Sequence, residues 1–343
     1  MKAIYFEEHG NFNQILKLGE LPEPKIEKDE VLIKVKAFSL NHLDIWIMEG
    51  KYPFPIPMPH IIASDASGIV EEVGECVNNV KVGDEVIIFS GISCGKCKAC
   101  ISGKDNLCPE YFPLGTKNQG VAGEYVKVPA RNVFKKPKDL SFEEASAICI
   151  TYTTMWHSLI TRAKIRAGDT ILIHGGASGV GTAGIQIAKL FGANVITTVG
   201  DEWKAEKVEN IGADFVINYS KEDFVEKVKE ITDGNLCDVV VDHIGKATFS
   251  KSIEVAKKGG KVITFGTTTG ADAEINLRAI FGKNLDIHGV FMGTRGEFIQ
   301  FLKFFPEKLK PVIDEVFEFN DIKKAYEKML SRQFVGKLVV KVD

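Results

Sequence analysis

The stretch HGGASGVGTAGIQIAK, residues 174–189, combines a glycine-rich turn with the start of a helix whose apolar residues recur at helical spacing. It opens at the end of TILIH (170–174), a short run typical of a buried strand. Glycines leave out side chains where the backbone must turn tightly and where a pyrophosphate must approach it, and the amides at a helix start bind the anion. The stretch therefore predicts a dinucleotide site. Its expected members are Gly176, Ser178, Gly179, Val180 and Gly181.

Short apolar strands and amphipathic helices alternate after this turn. The helical stretches include TAGIQIAKLFG (182–192) and KEDFVEKVKEIT (221–232). Six strands separated by helices predict a parallel, doubly wound α/β sheet. Its strands are expected at TILIH (170–174), NVITTV (194–199), FVIN (215–218), DVVVD (238–242), KVITF (261–265) and LDIHGV (285–290).

The end of the second strand bears on the choice of nicotinamide cofactor. An NAD site usually places an acidic residue there, but the strand ends at Val199, followed by Gly200 and Asp201. Lys204 and Tyr219 could contact a 2′-phosphate, which favours NADPH, whereas the Asp201 carboxylate would repel one and favours NADH. Asp201 could also simply be the N-cap of a helix that exposes Lys204 to solvent.

The first 150 residues have a different pattern, with short β-type runs such as VLIKVKAF (31–38) and DEVIIF (84–89) between glycines, prolines and asparagines. This pattern predicts an irregular β-rich domain. The tail returns to a helix, NDIKKAYEKML (320–330), and a last strand, GKLVVKV (336–342).

Four of the seven cysteines bunch in CGKCKACISGKDNLC (94–108). Such short spacings let thiolates converge on one tetrahedral zinc ion, and four protein ligands leave no open position, so the site is expected to be structural. Four free thiols in a loop are the alternative. The expected ligands are Cys94, Cys97, Cys100 and Cys108.

Length and charge limit the classes of function. A chain of 343 residues exceeds the ~100–200 residues of a common single domain, so two domains are expected. The net charge of −3, from 43 basic and 46 acidic residues, gives no footprint for nucleic acid or an anionic membrane. MKAIYFEEHG lacks the apolar run of a signal peptide. A cytoplasmic protein with a small-molecule substrate is expected.

The cysteine lobe, GVAGEYVKVP (120–129) and the nucleotide turn, in that order, resemble the medium-chain dehydrogenase/reductase superfamily, with its zinc-type alcohol dehydrogenases and quinone oxidoreductases. The resemblance implies a GroES-like catalytic domain at 1–150 and 294–343, with a zinc lobe at 91–110, and a Rossmann domain at 151–293. It implies a homodimer or homotetramer that pairs through LDIHGVFMG (285–293). It also implies nicotinamide contacts from Thr154, Gly266, Thr267, Phe291 and Met292.

The same resemblance makes SLNHLDIWIMEG (39–50) informative about the catalytic metal. The three catalytic zinc ligands of the alcohol dehydrogenases fall on Asn41, Ser64 and Ile150, none of which suits the metal. Asp44 matches a carboxylate outside the ligand set. Cys149, one residue from the third position, would restore one ligand if the alignment slipped. Asn41 in the first position matches the quinone oxidoreductase branch.

The polar residues around this stretch leave a second interpretation open. His42, Asp44, His60 and Asp65 are chemically capable ligands and could form a rearranged metal site. The simpler alternative is that each histidine is satisfied in a turn or loop.

Three functions follow from these observations. The first is a reductase of enones, quinones or enoyl thioesters such as acryloyl-CoA that lacks catalytic zinc, with Asn41 contacting the substrate carbonyl or nicotinamide and Tyr52 as a possible donor. The second is an alcohol dehydrogenase with a rearranged metal site. The third is a nucleotide-binding protein without turnover. The expected cofactors are NADPH (or NADH) and one structural zinc ion.

Overall fold

The computed structural model describes all residues from 1 to 343. The chain forms the strands β1 (Lys2–Phe6), β2 (Lys17–Glu20), β3 (Glu30–Ser39), β4 (His60–Ile61), β5 (Asp65–Val73), β6 (Glu85–Ile88), β7 (Gly91–Ile92), β8 (Phe112–Pro113), β9 (Tyr125–Pro129), β10 (Val133–Lys135), β11 (Thr170–Ile173), β12 (Asn194–Val199), β13 (Phe215–Asn218), β14 (Cys237–Asp242), β15 (Ala256–Thr264), β16 (Asp286–Gly289), β17 (Ile313–Glu318) and β18 (Lys337–Lys341).

Most of the helices are short. They are α1 (Phe12–Ile15), α2 (His42–Met48), α3 (Lys98–Ile101), α4 (Phe142–Ser146), α5 (Cys149–Trp156), α6 (Gly179–Leu190), α7 (Glu202–Ile211), α8 (Phe224–Ile231), α9 (Phe249–Val255), α10 (Leu277–Lys283), α11 (Arg295–Leu302) and α12 (Ile322–Ser331). A π-helical turn, His157–Ala163, follows α5. None of the helices combines the length and apolar character needed to cross a bilayer.

Two compact units divide the chain. One contains residues 1–150 and 294–343, and the other contains residues 151–293.

The second unit is built on one parallel sheet in the order β13-β12-β11-β14-β15-β16. The strand order reverses direction between β11 and β14, and the glycine-rich turn follows β11 at this switch point. Most residues of β11, β12 and β14 are buried, as expected for the central strands of a doubly wound parallel sheet. The predicted α/β class and six-stranded Rossmann sheet are confirmed.

The first unit is β-rich, as predicted. Its main sheet has the order β10-β6-β5-β3-β18-β17, with β9 also pairing with β3. The last strand, β18, returns from the chain end to pair antiparallel with β3, and β5 pairs with the other side of β3. The core of this unit is formed by alternating apolar residues of these strands, including Val31, Ile33, Val35, Ile88 and Val340.

Helix α12 joins this core through one face. Ile322, Ala325, Tyr326 and Met329, spaced at i, i+3, i+4 and i+7, are all buried. This spacing turns the Tyr326 ring inward, where its hydroxyl must find a polar partner.

Candidate active site and cofactor turn

The glycine-rich turn is tight enough to require glycine. Gly175 has a φ of +62°, and a Cβ on Gly176 would lie 2.1 Å from Thr197 Oγ1. A Cβ on Gly181 would lie 2.3 Å from the Gly175 carbonyl oxygen. The Ser178 hydroxyl caps α6 by accepting a hydrogen bond from the Gly181 amide at 3.0 Å. The turn therefore presents the start of α6, with Gly179 and Val180, to an anion.

A buried hydrogen-bond chain that the sequence analysis missed lies at the strand ends beside this turn. The Thr198 hydroxyl accepts from the Gly175 amide at 3.1 Å and donates to Nδ1 of His174 at 3.2 Å, because the other ring nitrogen of His174 carries the hydrogen. His174 Nε2 then donates to Ser252 at 3.1 Å, and Ser252 donates to Asp242 Oδ2 at 2.6 Å. Burial lowers the pKa of His174 to about 4, which keeps the ring neutral. The chain links β11, β12, β14 and α9 through hydrogen bonds of fixed direction.

The residues expected near the adenosine ribose lie together just after the neighbouring strands β12 and β13. Lys204 Nζ is 3.2 Å from Asp201 Oδ2, and the lysine side chain is buried whereas the carboxylate is partly exposed. The hydroxyl of Tyr219 lies over Gly200, where a Cβ would come within 2.7 Å of it. Asp201 precedes α7, but its side chain makes no capping hydrogen bond. The carboxylate therefore pairs with the positive charge that Lys204 would offer a 2′-phosphate.

The residues expected near the nicotinamide follow the neighbouring strands β15 and β16. Gly266 packs against the end of β14, since a Cβ there would lie 2.5 Å from the His243 carbonyl oxygen. Thr267 follows in the same loop. Phe291 is 54% exposed, whereas Met292 is buried with a φ of +51°. Thr154 is buried in α5, and its carbonyl accepts from Ser158 Oγ at 2.7 Å.

The four cysteines of the lobe converge as expected. Their Sγ atoms all lie within 4.8 Å of one another, with separations of 3.9 Å for Cys94–Cys100, 3.6 Å for Cys97–Cys100 and 3.5 Å for Cys94–Cys108. Sulfur atoms about 2.3 Å from one tetrahedral zinc ion are about 3.8 Å apart, so the cluster fits this ion. The amides of Lys96 and Cys97 lower the pKa of Cys94 to about 6, which favours the thiolate.

An ion pair anchors the lobe to the rest of its unit. The buried Asp105 carboxylate accepts from the Arg295 amide at the start of α11 and lies 3.4 Å from Arg295 Nε. Burial raises the pKa of Asp105, and the Arg295 guanidinium opposes that shift.

The topology of the main sheet brings Asn41, from the stretch SLNHLDIWIMEG (39–50), together with polar residues of two strands. Ser39, at the end of β3, pairs with Asp65 of β5 on one side and with Val339 of β18 on the other. Asn41 follows two residues later, so it lies beside Asp65 and Lys337, the first residue of β18. Strands distant in sequence thus build one cluster of Asn41, Asp65 and Lys337.

Lys337 is the centre of this cluster, and its ammonium is almost fully buried. Its Nζ donates to the Leu40 carbonyl at 2.6 Å and to Asn41 Oδ1 at 2.7 Å, and lies 3.5 Å from Asp65 Oδ2. Three acceptors call for three N–H groups, which the charged form supplies. Burial lowers the pKa of Lys337, while the carboxylates of Asp65 and Asp44 oppose the shift.

Asp65 accepts hydrogen bonds from Asn41 and from two further residues of the candidate site. Its Oδ2 accepts from Asn41 Nδ2 at 2.9 Å. Its Oδ1 accepts from the Ile150 amide at 3.1 Å and from Ser90 Oγ at 3.0 Å. The Ser90 amide in turn donates to Cys149 Sγ at 3.1 Å.

Asp44 supports Asn41 from the other side. Its Oδ2 accepts from the Asn41 amide at 2.9 Å and from the Tyr326 hydroxyl at 3.1 Å. Burial raises the pKa of Asp44 to about 7, against the opposing effect of these hydrogen bonds and of Lys337. This carboxyl therefore changes charge near neutral pH.

Comparison with known proteins agrees with this architecture. The family model of the alcohol dehydrogenase GroES-like domain matches residues 27–138, and that of the zinc-binding dehydrogenases matches residues 179–307. Acryloyl-coenzyme A reductase of Sulfurisphaera tokodaii is 32% identical over 95% of this chain and 96% of its own length. The chain belongs to the medium-chain dehydrogenase/reductase superfamily. It is therefore an NAD(P)-dependent oxidoreductase of a small-molecule substrate.

Two further similar proteins are named for different reactions. Quinone oxidoreductase of Homo sapiens is 30% identical over 96% of this chain and 94% of its own length. The crystal structure of an NAD-dependent alcohol dehydrogenase is 38% identical, covers 100% of both chains and has a TM-score of 0.96. Zinc-type members of the superfamily hold a catalytic metal, so the side chains at the corresponding positions of this chain decide whether it fits one.

The residues of this superfamily member do not fit a catalytic zinc ion. The three expected ligand positions, Asn41, Ser64 and Ile150, supply an amide, a hydroxyl and an alkyl side chain. The Lys337 ammonium already compensates the Asp65 carboxylate, and its positive charge opposes a second cation. Cys149 lies nearby, but one thiol does not replace three ligands.

The residues of the alternative metal site, His42, Asp44, His60 and Asp65, do not form a group of metal ligands in this structure. The four lobe cysteines are the one group of three or more potential ligands that the fold brings together. His42 packs edge-on against Trp46 at 5.1 Å, and His60 Nε2 donates to the Gly115 carbonyl at 3.0 Å. Both histidines are therefore held by contacts within the fold, one by a ring contact and the other by a hydrogen bond.

The structure places Tyr52 outside the buried cluster. It lies in the loop after α2, half-buried, with its ring 5.7 Å from that of Phe54 in an edge-on contact.

Sequence reasoning missed Lys337, Ser90 and Tyr326. Lys337 carried a weak signal, since a charged residue at the head of the apolar run KLVV must either be exposed or be paired. Its partner Asn41 lies 296 positions earlier, and only the β3–β18 pairing brings the two together.

Proposed function

We propose that this oxidoreductase reduces a double bond conjugated to a carbonyl, in an enone or an enoyl thioester such as acryloyl-CoA, or reduces a quinone. The observation that carries this proposal is that Asn41, which occupies the first ligand position of the zinc-type alcohol dehydrogenases, is held by the buried Asp65 carboxylate and Lys337 ammonium. Oxidation of an alcohol requires removal of its proton, which a metal assists by lowering the pKa of the bound oxygen. A conjugated double bond is already electrophilic and needs orientation and a hydrogen bond to its oxygen.

In the proposed reaction, Asn41 is the hydrogen-bond donor to the substrate oxygen. When bound, the reduced nicotinamide supplies hydride from its C4 to the β-carbon of the substrate or to the quinone. Asn41 Nδ2 donates to the substrate oxygen, which gains negative charge as the double-bond electrons move toward it. Water then protonates the α-carbon, and Tyr52 is the candidate for a second donor. Thr154, the Gly266–Thr267 turn, Phe291 and Met292 are proposed to hold the nicotinamide ring.

The proposed cofactor is NADH. The sequence alone favoured NADPH because Lys204 and Tyr219 could contact a 2′-phosphate. The ion pair between Lys204 and Asp201 supports NADH instead, since the lysine charge is balanced and the partly exposed carboxylate can accept from ribose hydroxyls. The NAD-dependence of the similar alcohol dehydrogenase agrees with this choice.

A structural zinc ion in the cysteine lobe is the second proposed cofactor. The sulfur separations support it, and a zinc thiolate cluster contributes on the order of 10 kcal/mol to local folding. The variant Cys108→Ser is expected to lose the metal and to become susceptible to proteolysis within the lobe. Cys76→Ser, at an exposed and distant thiol, is the matched control.

Elemental analysis and substrate tests together check the proposal. After dialysis against a mild chelator, a zinc content of one ion per chain is expected, with NADH oxidation dependent on enones, enoyl thioesters or quinones. Asn41→Ala is expected to reduce kcat/KM by at least about tenfold, the value of one hydrogen bond to a charged group. Two ions per chain with alcohol-dependent reduction of NAD⁺ would instead establish an alcohol dehydrogenase.

A further inference from the structure

The orientation of the Asn41 amide is determined by charge. Its Oδ1 faces the Lys337 ammonium at 2.7 Å, and its Nδ2 faces the Asp65 carboxylate at 2.9 Å. An ammonium has no acceptor and a carboxylate has no donor. The flipped amide would set N–H against N–H and oxygen against oxygen, so the observed orientation is strongly favoured.

This orientation leaves one hydrogen of the amide available. Nδ2 carries two hydrogens, and one of them is donated to Asp65. Asn41 is half-buried, whereas Asp65 and Lys337 are buried beneath it. The second N–H is therefore the polar group of the cluster that remains for a bound molecule.

Lys337 itself has no hydrogen to offer a substrate. Two of its N–H groups donate to the Leu40 carbonyl and Asn41 Oδ1, and the third is left to the Asp65 carboxylate, whose Oδ2 lies 3.5 Å from Nζ. It acts on Asn41 in another way, because a cation bound to an amide oxygen draws electrons from the nitrogen and strengthens the N–H as a donor. This effect grows in importance as the substrate oxygen becomes negative.

We propose that Lys337 is a positioning residue that fixes and polarises the Asn41 amide, so that its second N–H stabilises the oxyanion formed when hydride reaches a conjugated carbonyl substrate. The proposal rests on the proposed function of Asn41. It assigns to a buried ammonium, acting through an amide, the charge stabilisation that a metal ion supplies in zinc-type relatives. A network that only stabilised the fold would have no such effect on turnover.

A double-mutant cycle between Lys337 and Asn41 tests the proposal. Lys337→Met is expected to lower kcat by at least about tenfold with KM for NADH changed less than about twofold, because the loss lies in the transition state. In the Asn41→Ala background the same substitution is expected to lower kcat by less than about twofold, since the group it acts through is absent. Lys341→Met, at an exposed lysine of the same strand, is the control and is expected to match the wild type.

The fold of each variant is checked by circular dichroism and thermal unfolding. If Lys337→Met does not fold because Asp65 is left unpaired, it is combined with Asp65→Asn, and the effect of Asn41→Ala is measured in this double variant, which holds no unpaired buried charge. Full kcat in a folded Lys337→Met variant, or equal losses in both Asn41 backgrounds, would overturn the proposal and leave Asn41 as the donor. Full activity of Asn41→Ala would overturn the role of Asn41 itself. The proposed reaction is tested separately, by turnover of the wild-type protein on enones, enoyl thioesters and quinones.

Discussion

At the scale of single residues, Asp44 couples the stability of the chain to pH. Its pKa rises from 3.8 to about 7 on folding, chiefly through burial, so the folded chain holds a proton that the unfolded chain releases. This stabilising effect is complete below the unfolded pKa and is lost as the pH rises through the folded one. Asp44→Asn removes the titration and keeps an acceptor for the Asn41 amide and Tyr326.

The wild-type chain is therefore expected to lose stability relative to Asp44→Asn as the pH rises from acidic to neutral. The difference in unfolding free energy should fall by about 2 kcal/mol between about pH 5 and pH 7, at about 1.4 kcal/mol per pH unit for one proton. Thermal unfolding of both proteins across this range measures it. Parallel stability curves would show that Asp44 ionises as easily in the folded chain as in the unfolded one.

Asp201 is the residue at which cofactor preference can be tested. Asp201→Asn removes the negative charge beside Lys204, so the variant is expected to accept a 2′-phosphate more readily. The ratio of kcat/KM for NADH to that for NADPH should fall by at least about tenfold, which corresponds to about 1.4 kcal/mol.

Glu206→Gln is the control for this substitution, because Glu206 is exposed on the same helix, α7. It removes the same charge and should leave the ratio unchanged. An equal change in both variants would mean that the overall charge of the helix, and not Asp201 itself, governs the choice of cofactor.

At the scale of elements, the start of α6 depends on the absence of a side chain at Gly181. An added Cβ would lie 2.3 Å from a backbone oxygen of Gly175, which cannot move as a flexible side chain could. Gly181→Ala is expected to displace the helix start and to raise the Kd for NADH by at least about tenfold, because binding at a helix start depends on amide positions. Quenching of protein fluorescence by NADH measures it.

Gly282→Ala provides the matched control. Gly282 lies in α10, and a Cβ there would meet no heavy atom within 4 Å. Its substitution should leave the affinity for NADH unchanged and should favour the helix by about 0.5–1 kcal/mol. Normal affinity in Gly181→Ala would show that the turn can relax around a methyl group.

Local sequence patterns predicted the elements of the second unit well because each strand there is a short apolar run ended by polar residues or glycine. The runs at 194–199 and 215–218 correspond to β12 and β13 residue for residue. β15 begins at Ala256, five positions before the predicted KVITF, because Ala256 pairs with Cys237 before a register shift that leads to the Val239–Lys261 pair. No apolar periodicity marks such a segment, and only its tertiary partner makes it a strand.

At the scale of the whole molecule, the sequence predicted sites made within one segment and missed those assembled between segments. The four cysteines lie within residues 94–108 and the glycine-rich turn within residues 174–181, so the spacing of residues along the sequence was enough to predict both sites. The Lys337 cluster and the hydrogen bonds from His174 to Asp242 join strands that are distant in sequence. The local sequence pattern does not show which distant strands pair. The departures from the zinc-ligand pattern were visible in sequence, but the cation that accompanies them was not.

β16 is an edge strand of its sheet, and exposed apolar side chains lie on it and near it: Ile287 is 38% exposed, Phe281 70% and Leu277 66%. We propose that two copies pair along this strand, because an unpaired edge with apolar side chains favours association. Light scattering after gel filtration is expected to give a multiple of the 37.8 kDa chain mass.

Ile287→Asp is expected to shift this assembly toward the monomer, because it places a charge at the centre of the proposed contact. The opposite edge strand offers a matched control, since Phe215 on β13 is 46% exposed, and Phe215→Asp should leave the assembly intact. Dissociation by Phe215→Asp alone would place the contact at the other edge of the sheet. A monomeric wild type would mean that the exposed residues near β16 do not mediate self-association.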